Sequence, residues 1–406
     1  MVQMRFDYRD IFRSPRLAFS LQRVWIQFVG MGVGYIGYLI LTYVSLLTAG
    51  ASLPTSWEKY GLLPCLYAAG GSFPWYAWIV FAIGCLFLVA AYLVTSTAVS
   101  RAVYMMLKGN NFYTWREAFK VAFKKIGSTL MTPVAMIILI LCFVIGAWVV
   151  GLLGRIPYVG WLGLSLFTFF WMAAALFLFF LAIVFGVSLI LVPAILATTD
   201  EDAFEAVFQT FSSAWGQPWR FVLYEFMTVA LTLVSFGILA FAVKRAFFIM
   251  KALFAFAMGD KFINLAAHGM YLLQKWVLLS QDLITSLFGP VAPAIYFVRE
   301  FYPLELSPVL TISAYLFAIS MVIVGGWVLA YGLSTFNVGN TLTYLVMRKK
   351  KDDENLLERK DKEEEEEKKE EPAEKKEEEK EEEVKAEAKA EAKEPEAKKE
   401  EPGKPE

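Results

Sequence analysis

Six long apolar runs organise this chain, covering about 24–49, 75–100, 130–153, 161–192, 219–243 and 306–336. A membrane-crossing helix needs roughly 20 mainly apolar residues, and every run meets that length. The fourth run needs an argument, because 156–199 holds no charged residue. By length alone it could contain two spans and a tight turn. However, Ser165–Phe185 lacks Gly, Pro, Asn and Asp, the residues a hairpin turn uses. The breakers sit at the edges: Pro157, Gly160 and Gly163 before, Gly186 and Pro193 after. One long tilted helix, kinked near Pro193, is the expectation. The expected fold class is all-α, a polytopic integral membrane helical bundle with six transmembrane helices.

Charge sharpens this picture. Residues 348–406 carry 18 basic and 26 acidic side chains, which leaves 20 basic and 13 acidic in 1–347. Those 33 charges in 347 positions fall far below the roughly 25% of a soluble domain. The chain therefore divides into a transmembrane domain, 1–347, and a Glu/Lys-rich low-complexity tail, 348–406. The N-terminal segment lacks the short apolar core and cleavage site of a removable signal peptide. Lys and Arg in short loops mark the cytoplasmic side. Arg5, Arg9, Arg13, Arg16 and Arg23 precede span 1, and Arg101, Lys108, Arg116, Lys120, Lys124 and Lys125 follow span 2. Lys59 and Arg155 stand alone in the opposite loops, and Arg348–Lys351 follows span 6. Both termini are expected in the cytoplasm and the protein in the cell (inner or plasma) membrane. The six basic residues in 244–305 are the misfit; that segment approaches the length at which the rule weakens.

An internal repeat lies in the loops. Residues 114–128 read TWREAFKVAFKKIGS and 199–213 read TDEDAFEAVFQTFSS, 85 positions apart. Thr114 with Glu117, and Thr199 with Asp202, predict capped helix starts. Phe119, Phe123 and Ile126 then share a helical face, as do Phe204, Phe208 and Phe211. Ser14–Phe19 echoes the motif before span 1, with Ser14 as cap and Pro15 at the first helical position. The expectation is an amphipathic cytoplasmic helix before each odd-numbered span, hence three helical hairpins. Arg116, Lys120 and Lys124 are candidate contacts to anionic lipid headgroups. A loop helix packed under the bundle would explain the same pattern, and the acidic second copy argues against lipid attraction there.

Leu191-Val192-Pro193-Ala194, Asp202-Ala203-Phe204-Glu205-Ala206, Trp215-Gly216 and Trp219-Arg220 together resemble a pattern of prokaryotic multi-pass proteins. The pattern is similar to the membrane domain associated with some glycerophosphodiester phosphodiesterases and to six-span proteins like it. The ending Thr341-x-x-Tyr344-Leu345-x-x-Arg348-Lys349 resembles other bacterial membrane proteins. The hydrolytic domain of those phosphodiesterases has no counterpart here, so the resemblance implies a membrane fold and not their activity.

Polar groups inside spans are functional candidates because they are costly there. Glu225 is the candidate intramembrane carboxylate; it can reach headgroups or a neighbouring loop, or serve proton or ion coupling. His268, Lys275 and Asp282, spaced seven apart, form a candidate polar stripe within 262–288. That stripe reads either as the wet side of an interfacial helix or as the lining of an aqueous cavity. A re-entrant excursion of 246–288 is a further option. One His and three Cys (Cys65, Cys85, Cys142) offer neither a catalytic triad nor a metal or disulfide spacing. Gly30, Gly32 and Gly34 read as close helix packing and not as a phosphate loop. No catalytic, cofactor-binding or metal residue is assigned, no cofactor is required, and no nucleic-acid surface is present. The tail is too polar to fold on a core and reads as a solvated extension suited to a protein partner. The expected role is a non-enzymatic protein that scaffolds, organises or assists a membrane complex; the rival is a small-solute or lipid transporter. Oligomeric state is not legible.

Overall fold

The computed structural model describes residues 4–66, 73–199, 201–277, 289–295 and 301–359. The chain divides into two units, 1–357 and 358–406. The first carries the fold. Among the described residues it is all helix, with no strand. Its elements are α1 (Tyr8–Ile11), α2 (Ser14–Ala18), α3 (Leu21–Thr48), α4 (Leu53–Tyr60), α5 (Trp75–Lys108), α6 (Trp115–Lys124) and α7 (Ile126–Leu153). Then follow α8 (Val159–Leu166), α9 (Thr168–Thr198), α10 (Ala203–Gly216), α11 (Pro218–Met258), α12 (Asp260–Trp276), α13 (Ala292–Ile295) and α14 (Pro308–Asp352). Six of them, α3, α5, α7, α9, α11 and α14, are long and apolar enough to cross a membrane. The protein is a multi-pass membrane protein.

The fourth run contains one break, at Phe167, which separates the short α8 from α9. The break falls two residues inside the stretch that lacks turn residues, so absence of Gly and Pro did not protect all of it. Pro193 lies within α9, whose last turns are buried on every side.

Several helices outrun the bilayer. At ~1.5 Å per residue the 41 residues of α11 reach about 60 Å, against roughly 30 Å of hydrocarbon. Lys244 and Arg245 stop the apolar run, but 244–258 contains no Gly or Pro, so the helix continues to Gly259 at φ +61°. Likewise α5 passes 100 and ends at Gly109, whose φ of +102° lets the amide of Asn110 return to Met105 O at 3.0 Å.

Burial is concentrated where three helix ends meet. Leu93–Met105 of α5, Leu191–Thr198 of α9 and Val338–Met347 of α14 are buried on every face, and the three segments touch one another. Each is the C-terminal end of an even-numbered span. Short helices enclose them: α2 packs on α14, α6 on α5 and α10 on α9. Within each hairpin the odd span pairs with the even span that follows. This is the threefold arrangement that the sequence repeat implies, closed around a shared centre.

Two details of the repeat differ from expectation. Thr114 and Glu117 do form the reciprocal capping box of α6, Glu117 N donating to Thr114 Oγ1 at 3.3 Å and Thr114 N to Glu117 Oε2 at 2.5 Å. Thr199, however, closes α9 with its hydroxyl on Ile195 O at 2.7 Å, and Asp202 caps α10 by position without a side-chain bond. The second helix begins only at Ala203, which leaves Thr199 three residues short of the cap position. Similarly Ser14 is already helical in α2, with Arg13 at the cap position.

The opposite end is thinner. There α12 packs along the first turns of α14 and the last turns of α11, with Gly269 against Phe317 and Ala314. Trp276 O accepts from Leu62 N at 2.7 Å, which ties the end of α12 to the loop after α4. This helix lies beside the bundle at the end remote from the shared centre.

Candidate functional site

The buried centre is unusually polar. Asn337 Nδ2 in α14 donates to Gln27 Oε1 in α3 at 2.9 Å, with both residues buried. One turn on, Thr341 Oγ1 lies 2.9 Å from Ser100 Oγ in α5 and 2.8 Å from Asn337 O. Arg101, 2% exposed, donates from Nη1 to Ala197 O in α9 at 3.1 Å and sets its guanidinium 5.5 Å from the Tyr104 ring. Lys125 reaches the same helix end, bonding Leu196 O at 3.1 Å and Thr199 O at 2.6 Å. Two cations thus satisfy the last carbonyls of α9, where the helix dipole favours positive charge. Tyr344 donates to Gln209 Oε1 of α10, whose amide donates to Glu201. Every helix that meets at the centre contributes at least one such bond.

Glu225 borders this network. It sits seven residues into α11, one turn before Thr228, whose methyl lies 2.4 Å from where a Cβ on Gly339 of α14 would stand. Its two carboxylate oxygens are buried and find no partner among the described residues, and it lies within electrostatic range of Tyr92 on α5. It therefore faces the bundle and not the headgroups. Both amide atoms of Asn340 and the Nε2 of Gln27 are equally buried and equally without a partner among the described residues. Buried polar atoms of this kind are commonly bridged by ordered water.

The other anticipated residues lie elsewhere. Arg116, Lys120 and Lys124 are exposed on α6, as a headgroup contact requires. The buried side of α6 is Ala118, Val121 and Ala122, whereas Phe123 is 58% exposed and Phe119 half-buried. In α10 the pattern recurs: Ala206, Gln209, Thr210 and Ala214 face inward, while Phe204 and Phe208 are exposed. The phenylalanine stripe exists, but the small residues face the core. His268 accepts from Leu304 N at 3.2 Å through Nδ1, and Lys275 pairs with Glu58 at 3.4 Å on the surface. The first holds the segment before α14 against α12, and the second ties α4 to it; Asp282 lies outside the described residues. The sequence reading put Arg101 in a loop, whereas it is the most enclosed cation of the bundle. Gln27, Asn337 and Asn340 were missed, although an isolated amide in an apolar run and the polar stretch Asn337–Tyr344 were both visible.

Among the described residues no three His, Cys, Asp or Glu side chains cluster as metal ligands. No family model matches the chain, and no curated protein or solved structure matches it.

Proposed function

We propose that this is a non-enzymatic membrane protein that scaffolds or assists a membrane complex. One observation carries the reading. Between Ile137 and Phe179, spanning the outer parts of α7 and α9, no hydrophobic side chain is buried in its own chain. That hairpin leans on the bundle only near the shared centre, where Met136, Val184 and Ala214 cluster. Lipid can cover such a face, but so can the transmembrane helix of a partner. The rigid centre, knitted across all three hairpins, holds the free hairpin in place, and the charged tail adds a second contact on the cytoplasmic side.

The test is a photo-crosslinking amino acid at Ile145 or Trp148 of the full chain in native membranes, with Ile83 on α5 as the lipid-facing comparison. Protein adducts at 145 or 148, and lipid alone at 83, are expected. Lipid adducts at all three positions, together with solute uptake in proteoliposomes that Glu225→Gln abolishes, would replace the scaffold with the transporter.

The same reading places both termini in the cytoplasm. Lys350 Nζ bonds Asp7 Oδ1 at 2.9 Å, so the chain start and the end of α14 share one side. That hydrogen bond, helped by the Lys350 charge, holds the Asp7 carboxyl below its ordinary pKa. Of the three thiols, Cys85 and Cys142 lie on the membrane-crossing α5 and α7, and Cys65 follows α4 in the outer loop. An impermeant thiol reagent added from outside should modify Cys65 alone, since apolar burial suppresses the reactive thiolate. External protease should spare the tail and digest it in inverted vesicles; cleavage from outside would require an odd number of crossings.

A further inference from the structure

Where α9 leaves the shared centre, it opens an apolar crease against α10. Leu176, Phe177 and Phe180 line one wall, and Phe208, Phe211 and Trp215 the other. The crease has a volume of about 740 Å³, within the ~300–1,000 Å³ of typical ligand pockets. Phe180 meets Trp215 edge-on at 5.4 Å and Phe211 at 6.1 Å, which fixes the floor. Leu176, Phe208 and Trp215 are 63%, 53% and 76% exposed, so the walls are not closed by the protein.

One end of the crease is polar. Ser212 lines both the crease and a narrow slot formed with Gln217, Tyr344, Arg348, Lys351 and Asp352. Lys351 Nζ bonds Ser212 through both its carbonyl, at 3.1 Å, and its hydroxyl. Asp352 is engaged by Arg348 at 2.8 Å, and Lys351 forms no ion pair among the described residues. The positive charge at the mouth therefore remains available. Gln217 Oε1, also in the slot, is buried and has no hydrogen-bond donor among the described residues.

We propose that this crease and slot together bind one anionic glycerophospholipid of the surrounding leaflet. An acyl chain fills the aromatic crease, the phosphate meets Lys351 and Ser212, and a headgroup hydroxyl donates to Gln217 Oε1. The apolar length and the cationic, acceptor-bearing end match the two halves of such a lipid in the order a leaflet presents them. A soluble phosphate would leave the crease uncovered, and a neutral lipid would leave Lys351 without its counter-charge. This site depends on membrane placement; it shares Leu176 and Phe177 with the hairpin face of the scaffold reading, but a lipid seated there leaves Ile145 and Trp148 exposed for a partner.

The experiment places the full chain in nanodiscs of phosphatidylcholine doped with a minor share of phosphatidylglycerol. After detergent extraction and washing, the retained lipids are quantified by mass spectrometry. Wild type should retain phosphatidylglycerol above its share in the mixture. Lys351→Gln should reduce that enrichment roughly fivefold, the worth of one cation facing anionic lipid, while Lys351→Arg preserves it. Phe177→Ser combined with Phe208→Ser should lower total retained lipid. Added glycerol phosphate should displace none of it. Retention at the bulk ratio in wild type, unchanged enrichment in Lys351→Gln, or displacement by glycerol phosphate would each overturn the proposal. Lys351 is a surface residue, so its two variants keep the test valid even if the paired phenylalanine variant fails to fold.

Discussion

Arg101→Ala is expected to cost about 3–5 kcal/mol of stability, the range for breaking a buried charged contact and leaving a large void. The residue is fully enclosed where α5, α9 and α14 converge, and its guanidinium supplies a donor to Ala197 O. Removing it leaves that carbonyl buried with one donor fewer and uncovers a face of the Tyr104 ring, whose hydroxyl donates to Leu356 O at 2.8 Å. The end of α9 would then depend on Lys125 alone for cationic support. Arg101→Lys should recover part of the loss, since an ammonium can donate to the carbonyl but cannot stack over the ring. The exposed Arg116→Ala should stay within about 0.5 kcal/mol. Thermal unfolding of the purified chain in detergent measures all three. A loss below about 1 kcal/mol for Arg101→Ala would mean that the shared centre does not hold the hairpins together.

How far the sequence discloses this arrangement depends on which interaction sets each feature. Crossing helices are legible because roughly 20 apolar residues have few other uses. The short helices before odd spans are legible from the repeat spacing, although of the three expected caps only Thr114 serves as one. What escapes is contact between distant positions. Gln27 and Asn337 stand 310 positions apart with no pattern to link them, and only folding brings them within 2.9 Å. Arg101 was counted as a loop cation because orientation rules treat every Lys and Arg near a span end as solvated. Its helix continues past the bilayer, and the surrounding helix ends bury it. The repeat helices failed in a subtler way. Periodicity shows that Phe119, Phe123 and Ile126 share a side, but cannot say whether that side meets protein or lipid. In a bilayer lipid is as apolar as phenylalanine, so close backbone approach decides the matter and the alanines turn inward. The extensions of α11 and α14 were cut short because the apolar run ended, although nothing in 244–258 ends a helix.

The glycine run Gly30-Met31-Gly32-Val33-Gly34 offers the sharpest contrast, because its three glycines share composition and differ only in face. A Cβ at Gly30 would stand 2.1 Å from Thr95 Oγ1 and 2.7 Å from its Cγ2; one at Gly34 would stand 2.5 Å from Ala91 Cβ. Around Gly32 nothing lies within 4 Å. Gly30 and Gly34 therefore form the small-xxx-small seam that lets α3 approach α5, and Gly32 faces away. Thr95 cannot readily swing aside, because its hydroxyl is held by Ala91 O at 2.6 Å on its own helix. Gly30→Leu or Gly34→Leu should cost about 1–3 kcal/mol or more, as overpacking does. Such a change also pushes α3 away from α5 near Gln27, which lies one turn before Gly30 and bonds Asn337, so it should loosen the polar centre. Gly32→Leu should be neutral or slightly stabilising, since leucine is the better helix former and has room. Unfolding midpoints of the three variants in one detergent decide the point. Equal losses at all three positions would show that the run is needed for backbone flexibility. Losses at 30 and 34 with none at 32 would fix the α3–α5 seam on the face found here.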